Sequence, residues 1–327
     1  MNLHFRIFLF IFCSFALIGN KGFTQDGIAS MRSMRYVESS ETQTLKWQED
    51  LRRRLFKILK INELFEDRKN GAIPLQPLTL SSIDKGSYFL RKIEINSTLT
   101  RRIKLLVTIP KKIDNKLPAV ICLHGHGGTE DIVYDKSTVY KGFADILASS
   151  GYITVAPFVS QHEVYEKGMI LMGERLFDCI RAVDLITTLP EADTTRLGCA
   201  GLSLGGEMAM WLGAMDIRIK ATLSSGFLTK MDHLEQNHCL CWKFEGLRQL
   251  VDFSDIYSLI APRALMCQNG VKEPESQFNV TLARRTFTEI QPIYSNLGFP
   301  DKLLLDIHEG GHEVDIPALL YFFNKFL

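Results

Sequence analysis

Gly201-Leu202-Ser203-Leu204-Gly205 sets a hydroxyl between two residues that lack side chains, where an apolar run through Leu197–Ala200 meets a helix-forming segment. A strand that reverses into a helix within so few residues forces its central residue into strained backbone angles, and the glycines leave room for that strain. The Ser203 hydroxyl is thereby turned outward, at a helix N-terminus whose free N–H groups favour developing negative charge. A serine is a weak nucleophile at neutral pH, so it needs an imidazole within reach and a carboxylate to orient that imidazole. His312 follows Gly310-Gly311 in the loop after Leu303–Ile307 and is the expected base, whereas His308 at the end of that run reads as structural. Glu273, in the loop after Ala264–Gln268, is the expected carboxylate, with Glu275 and Asp232 as alternatives. A tetrahedral intermediate would also need oxyanion donors. The Leu204 amide is one, and His126 or Gly127 in the turn His124-Gly125-His126-Gly127-Gly128 is the other.

These groups must be carried by a frame, and the sequence describes one. Tyr88–Ile95 and Ile103–Ile109 are rich in β-branched and aromatic residues and read as a hairpin. Ala119–Leu123, Ile153–Phe158, the run before Ser203, Ala221–Ser225, Ala264–Gln268 and Leu303–Ile307 read as further strands. Helical patterns around Phe143–Ser149, Glu174–Leu189 and after Ser203 alternate with them. This predicts an α/β architecture: a mostly parallel eight-stranded sheet with helices on both faces. Ahead of it, Glu41–Phe65 has apolar residues near helical spacing, including Leu45, Leu51 and Leu55, and predicts a docked N-terminal helix. Arg52-Arg53-Arg54 reads as its solvated face, and Gly71–Pro77 as a linker. The organisation expected is a signal peptide over 1–24, a helical extension and linker over 25–77, and a catalytic domain over 78–327.

Composition narrows the function. With 38 basic against 37 acidic residues and a net charge of +1, nothing favours nucleic acid or an anionic membrane surface. Arg6 followed by the apolar run Ile7–Ile18 resembles a secretory signal cut before Gln25, too short for a bilayer span of about 20 residues. An exported protein, periplasmic or secreted and without a stable membrane span once the signal is removed, is the expectation. Six cysteines then remain: Cys122, Cys199 and Cys267 fall in apparent core strands, Cys179 in a helix, and Cys239 and Cys241 in a loop where a disulfide is chemically allowed. Neither Cys239-x-Cys241 nor His124-x-His126 contains a full ligand set by itself, so no metal and no cofactor are expected. Phe227–Ile260, with His233, His238, Trp242, Phe244 and Tyr257, predicts a loop or lid over the cleft, its aromatic residues either packed in the core or stacked on a sugar. Oligomeric state is not legible here.

The order Ser203, Glu273, His312 is that of α/β-hydrolases. From about Leu78 onward the chain resembles that superfamily, and within it the dienelactone-hydrolase-like and acetylxylan-esterase-like branch. The residues that carry the resemblance are His124–Gly128, Gly173-Glu174-Arg175 with Asp178–Leu185, Arg196–Gly206, Leu259–Arg263 and Gly311-His312. It implies an α/β-hydrolase fold and removal of acetyl or methyl esters from plant polysaccharides, with Glu174 and Arg175 supporting the site by ion pairing. Two departures are informative: dienelactone hydrolases proper have cysteine where Ser203 stands, and glucuronoyl esterases have arginine where Leu204 stands. Two competing readings are a prolyl-oligopeptidase-like peptidase, for which no propeller precedes the domain, and a catalytically silent glycan-binding protein on a hydrolase fold.

Overall fold

The computed structural model describes residues 32–327, so the signal segment expected over 1–24 lies outside the described residues. Helix α1 (Glu41–Ile58) starts at Ser40, whose hydroxyl accepts from the Gln43 N–H while the Gln43 side chain accepts from the Ser40 N–H. That reciprocal pair satisfies two donors that a helix start leaves open. The buried stripe is Thr44, Gln48, Leu51 and Leu55, and Leu45 is exposed. Helix α1 is also shorter than its apolar spacing suggests. Lys60 takes a φ of 57°, which breaks the helix, and α2 (Asn62–Lys69) follows as a separate element.

Polar groups dock α1 as much as apolar ones do. The Gln48 amide donates to the carbonyls of Ser258 (3.0 Å) and Ala261 (2.8 Å), and Arg52 donates to those of Ala214 (2.9 Å) and Leu259. Three of these acceptors lie in the last turn or at the cap of a helix, where carbonyls have no partner within their own helix. Arg52 therefore departs from the solvated face expected of it, while Arg53 and Arg54 are exposed. Burial, with Arg263 nearby, brings the Arg52 guanidinium down to about 10.

The sheet has nine strands, not the expected eight: β1 (Leu78–Asp84), β2 (Tyr88–Asn96), β3 (Arg102–Pro110), β4 (Leu117–Leu123), β5 (Ile153–Pro157), β6 (Ala192–Leu202), β7 (Ile219–Ser225), β8 (Ala264–Gly270) and β9 (Leu303–His308), in the order β1-β2-β3-β5-β4-β6-β7-β8-β9. The additional strand is β1, an edge strand exposed along its whole length and paired antiparallel to β2 across a bulge between Thr79 and Ser81. Buried on neither face, it carries only the short apolar alternation of Leu78 and Leu80, which breaks at Ser81-Ser82 beside the bulge. The pairings β1–β2, β2–β3 and β3–β5 are antiparallel, and those from β5 through β4, β6, β7 and β8 to β9 are parallel.

Strand periodicity assigns alternate residues of β4 to two cores. Ala119, Ile121 and Leu123 face the core built with α1, α4 (Leu171–Thr188), α5 (Leu204–Met215), α8 (Phe253–Ser258) and α9 (Val280–Asn296). Val120 and Cys122 face the other, closed by α3 (Phe143–Ser149) and α10 (Ile316–Phe326). Two short helices, α6 (Met231–Asn237) and α7 (Leu247–Leu250), lie between β7 and α8. Helix α4 is buried from Met172 to Ile186, charged residues included. Each of its buried acids has partners, as burial demands. Asp178 meets Arg101 (2.6 Å), and Asp184 meets Arg181, Arg68 and Arg218.

Candidate active site

Ser203 joins β6 to α5 with φ 64° and ψ −124°, backbone angles that a side chain adopts only under strain. The strain follows from close packing on both sides. A Cβ on Gly205 would lie 2.1 Å from the Leu123 carbonyl oxygen, and one on Gly201 would lie 2.3 Å from that of Gly205. Neither position has space for any other residue. The Ser203 N–H donates to the Ser225 carbonyl (2.9 Å), and the next amide, that of Gly226, donates to Gln268 (2.8 Å). The carboxyl ends of β6, β7 and β8 are thus linked through the main chain.

His312 rests on the same corner. A Cβ added to Gly226 would meet its ring at 2.7 Å, and Gly226 holds φ at +57°. Phe278 stacks on the imidazole with centroids 5.4 Å apart and planes at 14°. Nδ1 of His312 faces both carboxylate oxygens of Glu273, at 2.9 and 3.1 Å. Because a carboxylate accepts, Nδ1 carries the hydrogen and Nε2 keeps its lone pair. The Glu273 side chain is 1% exposed. Of the three carboxylates weighed from sequence, it is the one brought to His312. Glu275 is exposed, and Asp232 pairs with Arg248. His308 accepts from the Gly310 N–H through Nδ1 (3.2 Å), holding the loop that carries His312. Gly226→Ala would push a methyl into the imidazole at a strained φ. Ester turnover is expected to fall about 100-fold for a displacement near 1 Å, checked by steady-state kinetics on folded protein.

The turn after β4 presses against Ser203, since a Cβ on Gly125 would lie 3.1 Å from that of Ser203. Its amides are largely committed. Gly125 donates to the Tyr140 hydroxyl (2.6 Å), Gly127 to Ser160 (2.9 Å) and Gly128 to the Gly125 carbonyl (3.3 Å). Among the described residues the His126 N–H is the one amide of Gly125–Gly128 without a partner. His124 is buried, with Nδ1 on the Gly125 carbonyl (2.9 Å) and Nε2 accepting from the Val159 N–H (3.1 Å), so it fastens the turn to the segment after β5. Burial lowers its pKa, consistent with a neutral ring.

Glu174 and Arg175 support this region without the expected ion pair. Adjacent on a helix, they point about 100° apart. Glu174 accepts from the N–H groups of Tyr165 and Glu166, and Arg175 donates to the Gln161 carbonyl and toward the Cys241 sulfur (3.5 Å). Sequence reasoning missed Glu207, one turn beyond Ser203. It is buried, and burial pushes its carboxyl up to about 7 against the pull of Arg175. Between the ordinary 4.5 and about 7 the folded protein holds a proton that the unfolded chain has released, so stability falls as pH rises through that window. Glu207→Gln is expected to flatten this slope, a change of ~3 kcal/mol across the window, read from denaturation midpoints at a series of pH values.

Between β7 and β8 the chain forms α6, a short turn at Leu240–Trp242, α7 and α8 rather than an open loop. Trp242 and Tyr257 are buried, Trp242 against Phe253 and Tyr257 hydrogen-bonded to Ser224 (2.7 Å), so neither presents a face to a sugar. His126 Nε2 lies 3.0 Å from the Cys241 sulfur, bringing this segment against the turn after β4. All six cysteines in the described residues are free thiols. The expectation of no metal treated His124-x-His126 and Cys239-x-Cys241 separately, and the fold puts His126 and both cysteines in one cluster with His162.

Residues 83–234 match the family model described as acetyl xylan esterase (AXE1). The Bacillus subtilis (strain 168) protein YtaP, which bears a hydrolase name, is 29% identical over 191 residues, covering 50% of this chain and 63% of that protein. The chain therefore spans less than two thirds of the length of the curated relative it matches. Among solved structures, an acetyl xylan esterase from Paenibacillus sp. R4 is similar with a TM-score of 0.60 and 16% identity, over 91% of this chain and 99% of that one. A glucuronoyl esterase from Solibacter usitatus gives 0.61 and 16%, over 76% and 85%. Methylesterase BT1017 gives 0.69 and 16%, over 91% and 66%. At these identities the structural likeness shows the fold. The chain is an α/β-hydrolase-fold protein whose residues 83–234 carry the sequence pattern of the acetyl xylan esterase family.

Proposed function

We propose that this chain is an exported serine carboxylic ester hydrolase that removes acetyl or methyl groups from plant polysaccharides. The observation that carries the reading is the strained Ser203 elbow, bonded through its N–H to Ser225, next to the Gly226 corner that seats an imidazole whose Nδ1 is held by the buried Glu273. Ser203 Oγ attacks the ester carbonyl and gives its proton to His312 Nε2, while Glu273 stabilises the imidazolium. The oxyanion takes hydrogen bonds from the amides of Leu204 and His126, the Gly127 amide being committed to Ser160. Collapse expels the alcohol, protonated by His312, and leaves an acyl-serine. Water, deprotonated by His312, then releases the acid and restores the hydroxyl.

Acetylated xylan, methyl-esterified pectin, short synthetic esters and a peptide substrate, assayed side by side with fluorophosphonate labelling of Ser203, test the proposal. Acetate or methanol release together with labelling is expected. Peptide cleavage without ester turnover, or no labelling of folded protein, would overturn it.

A further inference from the structure

The turn after β4, the segment after β5 and the segment before α7 bring together four groups distant in sequence: His126, His162, Cys239 and Cys241. One nitrogen or sulfur from each lies within 4.8 Å of all the others. Bound tetrahedrally at ordinary zinc–sulfur and zinc–nitrogen distances, the same four atoms would be about 3.3–3.8 Å apart, so closure needs movements of no more than about 1 Å. His126 Nε2 to the Cys241 sulfur is 3.0 Å, and His162 Nε2 to the Cys239 sulfur is 3.6 Å.

The surroundings also suit a metal. Nδ1 of His162 lies 3.0 Å from the Ser160 carbonyl oxygen, which can only accept, so the hydrogen sits on Nδ1 and the lone pair of Nε2 is aimed at the cluster. The Arg175 guanidinium, 3.5 Å from the Cys241 sulfur, offers a hydrogen bond to a thiolate there. Ser160 takes part twice, since its hydroxyl also receives the Gly127 N–H. Two thiols and two imidazoles form a soft donor set.

We propose that His126, His162, Cys239 and Cys241 bind one zinc-class divalent ion as a closed structural site that clamps the Cys239–Cys241 segment onto the oxyanion turn. Binding replaces two S–H bonds with two metal–thiolate bonds and releases two protons, and the two neutral imidazoles complete a complex of zero net charge. No protein-free position remains, so the ion takes no part in ester chemistry. It fixes the peptide that carries the His126 amide.

The full chain, purified under reducing conditions and dialysed first against zinc and then against metal-free buffer, is expected to retain one zinc per chain by elemental analysis. Loss of an outer partner typically costs metal affinity 10–100-fold, so loss of a ligand should cost about 100-fold or more. That is expected for His162→Ala and for Cys239→Ser/Cys241→Ser, while His233→Ala, outside the cluster, keeps the metal. Cobalt(II) added to the unaltered chain should give the intense visible bands of tetrahedral thiolate ligation, a measurement that does not require any variant to fold. Substoichiometric zinc, zinc undiminished in the ligand variants, a weak octahedral cobalt spectrum, or a Cys239–Cys241 disulfide with no metal uptake after reduction would each overturn the proposal. The readout is the metal, so failure of this site and failure of the esterase reading are told apart.

Discussion

Ser203→Ala is expected to lower kcat for a short acyl ester by about 10⁶-fold, with any residual turnover due to the oxyanion donors and binding. The serine side chain stores none of the elbow's strain by itself: φ 64° is imposed by the packing of Gly201 and Gly205 and by the Ser203 N–H to Ser225 bond. Alanine retains that backbone bond, so thermal unfolding should move little, and fluorophosphonate labelling should vanish while the fold persists. Retained turnover at the level of the unaltered chain would remove Ser203 from the reaction.

Glu273→Gln is the second large effect, expected at about 10⁴-fold in kcat. The amide is nearly isosteric with the carboxylate, so packing changes little. Its NH₂ can, however, donate to Nδ1 of His312, which would move the ring hydrogen to Nε2 and take away the lone pair that must accept the serine proton. Glu273→Asp retains the charge but draws it back by one methylene from a contact now at 2.9 Å, so its loss should be much smaller than that of the amide. Steady-state kinetics of the two variants separate charge from shape. Equal losses would favour a packing role for Glu273.

The parts of this protein legible in its sequence are those with strong local signatures. The elbow shows because two glycines flank a serine between a strand and a helix, and the buried strands show as unbroken apolar runs, as in Ala119–Leu123. Edge strand β1 did not, because exposure on both faces left Leu78, Leu80 and Ile83 without a pattern to mark a core. Arg52 looked solvated beside two other arginines, since charge alone does not reveal the helix-end carbonyls that receive it. The clustering of His126 with Cys241 was equally hidden. Each half-motif lacks its partners locally, and only the topology of the sheet brings residues more than a hundred positions apart into contact. Glu207 lies in the most recognisable stretch of the chain, yet its raised pKa depends on burial that no spacing displays.

The amide links from Ser203 to Ser225 and from Gly226 to Gln268 join three strand ends without using a single side chain. A reacting centre held in this way tolerates divergence around it. Replacements in the 159–166 and 227–260 connections can reshape the approach to Ser203 while the scaffold beneath keeps its dimensions, so the entrance can change without disturbing the corner that holds the hydroxyl.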